Sequence, residues 1–348
     1  MSKKILHIAG CDKFIPPFVE LVKEYFDFSV HDFLLMNGMA SKELKITPNV
    51  HLSKSSIPSR LKHYWQAMIK MHQADKVVLH GLFDIYLVIM LFFMPWLLKK
   101  CYWVIWGGDL YSYQLSEHNW KWRRREFFRR SVIRRMGYLV TYIKGDYDLA
   151  TEWYGARGQY HECFIYPSNL YKEYAVPDKQ HSGFNILVGN SADPSNNHLE
   201  IFDKLEVFKD QDIKIYAPLS YGNQAYAKKV IEEGRKQFGD KFKPLTDMMP
   251  FDQYLEFLGL IDVVIFNHKR QQAMGNTITL LSLGKKVFMH SGVTPWELFE
   301  DIDVKVFDVE NIKLDLLDEK IKKDNQEKIK EYFSKENYLK QLQNLFEL

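Results

Sequence analysis

The stretch FNILVGNS (residues 184–191) is a short apolar run that stops at a glycine and two small polar residues, and with it a strand–helix alternation begins for the second time. Downstream, the apolar runs IKIYAPLS (213–220), IDVVIFNH (261–268) and KKVFMH (285–290) alternate with amphipathic stretches over 197–208, 223–238, 251–260 and 273–283. Upstream, KILHIAG (4–10), FDFSVHDFLLM (26–36), KVVLHG (76–81), CYWVIWGG (101–108) and GYLVTYIKG (137–145) alternate with helical stretches over 17–25, 59–72, 84–98, 120–135 and 146–154. Strand and helix in alternation predict parallel pairing and doubly wound sheets. Residues 164–182, with Pro167 and Pro177 and no period, separate the halves. The expected organisation is therefore an α/β chain of the GT-B type, with two Rossmann-like domains facing a cleft. Residues 1–165 form the first domain, 166–182 a linker and 183–320 the second domain, while a charged C-terminal helical segment, 321–348, packs back on the first.

At 348 residues, two domains are the natural reading. A net charge of +3 is too small to argue for a nucleic-acid partner, and 46% apolar with 26% charged residues suits a globular protein. Cys11, Cys101 and Cys163 are scattered, which offers neither a disulfide framework nor a zinc site and favours a reducing compartment. The run IYLVIMLFFMPWLL (85–98) is strongly apolar, yet shorter than the ~20 residues a spanning helix needs. It is expected to be a buried or interfacial helix closed by Pro95, Lys99 and Lys100.

In open parallel sheets, ligands collect beyond the carboxyl ends of the strands. Three loops of the second half have the residues for an anion there. Gly189, Asn190 and Ser191 bring small residues and amide donors after one strand, while Ser220, Tyr221 and Gly222 follow the next and are as compatible with a plain turn. The richest is FNHKRQQAMGNT (266–277). Here His268, Lys269 and Arg270, the amides Gln271 and Gln272, and then Gly275, Asn276 and Thr277 lead into a helix. Cations, amides and a helix N-terminus together suit a departing diphosphate without a metal.

In the first half, Asp109 follows the aromatic strand and two glycines, Gly107 and Gly108, and Asp12 lies in the first loop. Either carboxylate would serve as a base toward a hydroxyl; Asp109 is the leading candidate, with helix capping as its alternative. His80 and Gly81 end a strand on the same side and are assigned, with Gly108, to an acceptor-side wall. The D-x-D pairs Asp146/Asp148 and Asp301/Asp303 are weak signals, so no essential metal and no cofactor are expected.

Residues 120–136, WKWRRREFFRRSVIRRM, hold eight basic residues against one Glu, interleaved with Trp and Phe. As a helix this puts Trp120, Trp122, Arg123, Arg124, Arg125, Arg129 and Arg130 at an anionic membrane surface. A single-stranded nucleic acid would suit the pattern too, but the nearby apolar run favours lipid.

Several of these pieces, in order and at similar spacing, resemble one family. They are the Gly10/Asp12 loop, His80-Gly81, WVIWGGDLY (103–111), Gly145-Asp146, ILVGNSADPSNNH (186–198), NQAY (223–226), FDQYL (251–255) and RQQAMG (270–275). The family is glycosyltransferase family 56, the N-acetylfucosamine (4-acetamido-4,6-dideoxygalactose) transferases of enterobacterial common antigen synthesis. The resemblance implies a dTDP-sugar donor, an undecaprenyl-diphosphate-linked saccharide acceptor and a peripheral place on the inner face of the cytoplasmic membrane. It also implies that Gly189, Asn190, Arg270 and Gln271 are donor-side residues. The greasier apolar run and more basic arginine helix depart from the common-antigen members and leave another sugar, or an O-antigen or capsule product, open. Two rivals differ in kind: a nucleotide-sugar 2-epimerase, which would consume donor without acceptor, and a non-catalytic binding protein for nucleic acid or lipid, which would bind no nucleotide.

Overall fold

The computed structural model describes residues 3–36, 42, 44–54, 56–174 and 181–347. Part of the expected linker, 175–180, lies outside the described residues. Seven strands form the first sheet: β1 (Ile5–Gly10), β2 (His31–Met36), β3 (Val50–Ser53), β4 (Lys76–His80), β5 (Cys101–Val104), β6 (Tyr138–Val140) and β7 (Gln159–His161). Six form the second: β8 (Phe184–Val188), β9 (Ile213–Pro218), β10 (Phe242–Leu245), β11 (Val263–Phe266), β12 (Lys286–Met289) and β13 (Phe307–Asp308). The orders are β3-β2-β1-β4-β5-β6-β7 and β10-β9-β8-β11-β12-β13, and every pairing is parallel. In each sheet the order reverses beside the first strand, with Ile5 opposite Lys76 in one and Ile186 opposite Val263 in the other. Those reversals are where a parallel sheet opens a ligand site. Central strands are buried along their length, as sheets covered on both faces require.

The chain divides into two compact units, 1–168 with 336–348, and 169–335. The expected single C-terminal segment of 321–348 is therefore split. The helix Glu319–Tyr332 stays with the second unit, where Gln326 Nε2 donates to Ser282 O at 2.8 Å and Asn325 exchanges two hydrogen bonds with the Lys305 backbone. The helix Lys335–Glu347 closes the first unit. Tyr338 stacks on Phe164 and donates to Ile165 O at 2.7 Å, and Phe346 packs edge-on against His31 at 4.5 Å.

The apolar run 85–98 is not one helix. Asp84 caps Ile85–Phe93 by accepting Tyr86 N at 2.9 Å, the backbone breaks at Met94, and Pro95–Lys100 continues as a 3-10 helix. Pro95 has no N–H to offer an uninterrupted helix. Leu87, Val88, Leu91, Leu97 and Leu98 face the core. No described helix is long and apolar enough to cross a membrane.

Candidate functional site

At the reversal of the first sheet, the loops after β4 and β5 are bound together by Asp109. Its Oδ2 accepts Leu82 N (2.9 Å) and Trp103 Nε1 (2.7 Å), and its Oδ1 accepts Trp106 N and Leu110 N, both at 3.0 Å. Four N–H donors fill the lone pairs of a carboxylate that is 1% exposed. The expectation of Asp109 as the base is corrected by this geometry: no hydroxyl can reach a lone pair, and the residue is a structural tie. Gly81 (φ +83°) passes beneath Phe83, whose ring would lie 2.5 Å from any Cβ there, and Gly108 turns past the same ring. Arg129 completes the tie. Its guanidinium donates to Leu82 O and Asp109 O, each at 2.6 Å, and to Glu126 Oε1 at 3.1 Å. It is buried, so its assignment to the membrane surface is also corrected.

His80, expected on an acceptor wall, is buried in a line of polar rings. Its Nδ1 pairs with Tyr166 Oη at 2.7 Å and its Nε2 with His7 Nδ1 at 3.1 Å, and His7 Nε2 pairs with His31 Nδ1 at 3.0 Å. Trp106 Nε1 donates to Tyr166 Oη at 2.8 Å. Burial pushes His80 down to about 3 and His31 to about 4, and it lowers His7 with help from the two neighbouring imidazoles. All three are neutral at pH 7. Asp12 stands differently. It is half-buried after β1, accepts Phe14 N at 2.8 Å through Oδ1, and burial raises its carboxyl above the usual range.

At the second reversal, the loops after β8, β9 and β11 are joined through amides. Gly189 (φ +71°) makes the turn, and a Cβ there would strike His198 Nε2 at 2.5 Å. Asn196 Oδ1 accepts both Asn190 N (2.8 Å) and His268 Nε2 (2.9 Å), which places the His268 proton on Nε2. Asn196 Nδ2 donates to Ser191 Oγ at 3.2 Å. Gln272 Nε2 donates to Asn190 Oδ1 (3.2 Å), Asn190 Nδ2 to Tyr221 Oη (3.3 Å), and Ser195 Oγ to Gln272 Oε1 (2.7 Å). Gly222 (φ +112°) bridges to Ala192, and Ser220 donates to Met248 Sδ. Burial pushes His268 down to about 3, aided by the Arg270 charge.

Ser191, His268 and Thr277 are buried and hydrogen-bonded inward, Thr277 Oγ1 to Ala273 O at 3.1 Å, so they frame the site rather than line it. Arg270, Gln271, Gln272, Gly275 and Asn276 are partly accessible, and Asn190 and Tyr221 sit at the surface of the same edge. The helix Met274–Ser282 starts at Ala273 (φ +58°) with no side chain capping it, so its first amides keep their donor capacity. Asn267, at the end of β11, was not singled out by sequence. It is 0% exposed, and both atoms of its side-chain amide lack a protein partner, as does Gln271 Oε1. Its only signal was its place at a strand end.

Of the residues expected at a membrane surface on the helix Trp120–Arg135, Trp120, Arg123, Arg124, Arg125 and Arg130 are exposed. Trp122 is half-buried, stacked on His118 at 3.8 Å. Asp146 is buried under Tyr111, and Asp148 pairs with Lys144 at the surface. Among the described residues no three His, Cys, Asp or Glu gather as a metal site.

A family model described as 4-alpha-L-fucosyltransferase, glycosyl transferase group 56, matches residues 11–347. The chain belongs to this family. Similar solved structures include HepE from Anabaena in complex with UDP and glucose (TM-score 0.71, 12% identity, 99% of this chain and 100% of that one). Sucrose-phosphate synthase from Thermosynechococcus elongatus matches at TM-score 0.63, 9% identity, over 99% and 98%. WaaG, a glycosyltransferase involved in lipopolysaccharide biosynthesis, matches at TM-score 0.53, 12% identity, over 99% and 94%. The fold is GT-B, and the chain is a nucleotide-sugar-dependent glycosyltransferase.

Proposed function

We propose that the chain moves a 4-acetamido-4,6-dideoxyhexose-type sugar from a dTDP-sugar to an undecaprenyl-diphosphate-linked saccharide, at the inner face of the cytoplasmic membrane, in bacterial surface polysaccharide synthesis. The observation that carries the donor side is the partnerless Asn267 amide beside the uncapped start of Met274–Ser282 and Arg270. A diphosphate gains charge as the sugar leaves, and Arg270 with the helix amides would hold that charge without a metal. Asn190, Gln271, Gln272 and Tyr221 are the neighbours suited to ribose and base. The motifs shared with the family support dTDP and a lipid-linked acceptor, and the complex of HepE with UDP supports a nucleoside diphosphate.

For the acceptor hydroxyl, Asp12 replaces Asp109 as the proposed base, being accessible and more basic than an ordinary carboxylate. Trp120, Arg123, Arg124, Arg125 and Arg130 would meet the anionic lipid surface. The test is a titration panel of dTDP, UDP and GDP, with and without chelator. dTDP is expected to bind tightest and to be indifferent to chelator, and Arg270→Ala to weaken it about 10–100-fold by loss of a charged hydrogen-bonding group. Unchanged affinity in that variant sinks the diphosphate seat, and donor turnover without acceptor marks an epimerase instead.

A further inference from the structure

The helix Ile57–Gln73 has two apolar faces. His63, Ala67 and Met71 form its buried seam. On the opposite side, Ile57, Leu61, Trp65 and Ile69, each four residues from the last, are 74%, 67%, 63% and 39% exposed. An exposed stripe of large apolar groups at helical spacing marks an interaction surface.

The stripe does not stand alone. Arg60 lies over the ring of Tyr86 at 5.4 Å, and Trp96 Nε1 donates to His72 Nε2 at 3.2 Å, which brings two more exposed aromatics beside the helix. From the exposed Phe93, ring contacts run through Phe92 (5.3 Å) to the exposed Phe127 (5.7 Å) on the arginine-rich helix. Along this surface few acidic residues stand, and those against the helix are engaged: Asp84 accepts Tyr64 Oη at 2.8 Å and Tyr86 N at 2.9 Å, and Asp32 pairs with Lys70. Residues 54–73 and 85–100 contain no Asp or Glu, and the one in 120–135, Glu126, is buried against Arg129.

Charge decides the occupant. A second copy of the chain would bring cations against cations, whereas an anionic bilayer accepts apolar side chains and pairs with the flanking arginines and lysines. We infer that Ile57–Gln73 is a membrane anchor, its Ile57, Leu61, Trp65 and Ile69 stripe entering the lipid interface while the cations of Trp120–Arg135 supply electrostatic attraction. This rests on the lipid-held acceptor proposed above and assigns it a second, apolar contact.

The two contributions respond differently to salt, because ionic attraction is screened and apolar burial is not. Full-length protein is sedimented with vesicles of phosphatidylethanolamine and phosphatidylglycerol at low and high ionic strength, beside sedimentation velocity without lipid. Leu61→Ser/Trp65→Ser is expected to lose at least about tenfold in partition at high salt, from two side chains no longer buried, while retaining low-salt binding. Arg123→Glu/Arg124→Glu is expected to lose mainly the low-salt binding. The three native cysteines are buried, so a Leu61→Cys variant takes a polarity-sensitive label at one place, and its emission should shift to the blue on vesicles. Partition of the Leu61/Trp65 variant equal to wild type at both salts overturns the anchor, as does a dimer that this variant dissolves with vesicle binding unchanged. Transfer to a short water-soluble acceptor separates the two readings: the anchor predicts that the variant keeps it, and a wild-type chain that binds vesicles but transfers to no acceptor fails as a transferase alone.

Discussion

At the reversal of the first sheet the polar groups around Asp109 are used on one another, with Glu126 Oε2 alone left over beside Arg129, whereas at the same place in the second sheet a whole side-chain amide is left over. Asp109 accepts four N–H groups and Arg129 locks the two loops it joins. Asn267, equally buried, has no protein partner for either amide atom. Because a buried polar group without a partner is costly, the Asn267 edge is the one suited to a ligand, while the saturated Asp109 is scaffold and Asp12 is the carboxylate the first edge leaves accessible. Two like folds thus divide the work, and the division can be broken at particular residues.

The largest effect is expected from Asp109→Ala. Several buried N–H donors lose their acceptor, and the first unit should lose roughly 3–5 kcal/mol, read as an earlier transition in urea unfolding. A variant as stable as wild type would erase the contrast between the two edges. Next comes Asp12→Asn, expected to cut turnover about 10²–10⁴-fold, as loss of a general base does, with donor affinity and unfolding midpoint unchanged. Full activity would remove Asp12 from the chemistry.

Acid should weaken the first unit more than the second. His7, His31 and His80 have folded values below the unfolded one, so the unfolded chain binds more protons below about pH 6.5. Their contribution is complete above that pH and falls as the pH is lowered toward 4. From pH 7 to 6 each such histidine withdraws at most about 1 kcal/mol, and with His63 and His161, which burial also lowers, the first unit holds five against His198 and His268 in the second. Equal slopes for the two transitions would contradict the assignment. The smallest change in stability is expected for Asn267→Ala, within about 0.5 kcal/mol because no protein hydrogen bond is lost, yet nucleotide affinity should fall several-fold. A large drop in stability with unchanged affinity would make Asn267 part of the scaffold too.

The sequence was legible where burial is two-sided. The nine inner strands show as apolar runs, and the four that did not, β3, β7, β10 and β13, are the outer strands of the two sheets. Short outer strands such as Gln159–His161 and Phe307–Asp308 bury too little to leave a pattern. At the candidate site, Gly-Gly-Asp signalled a carboxylate at a strand end, but whether its lone pairs are open depends on Leu82 and Trp103, which the local sequence does not reveal. Arg129 was hidden among exposed arginines, although it shares the inward seam of Glu126, Val132 and Ile133. Asn267 carried no chemical signature at all, since its meaning lies in the partners it lacks.

The helix Lys335–Glu347 belongs to the unit built from residues 1–168. Tyr338 and Phe346 cover Phe164 and His31, residues synthesised about 170 to more than 300 positions earlier. On the ribosome, then, this unit waits while all of residues 169–335 are made, and its histidine line stays without its roof until Lys335–Glu347 has emerged.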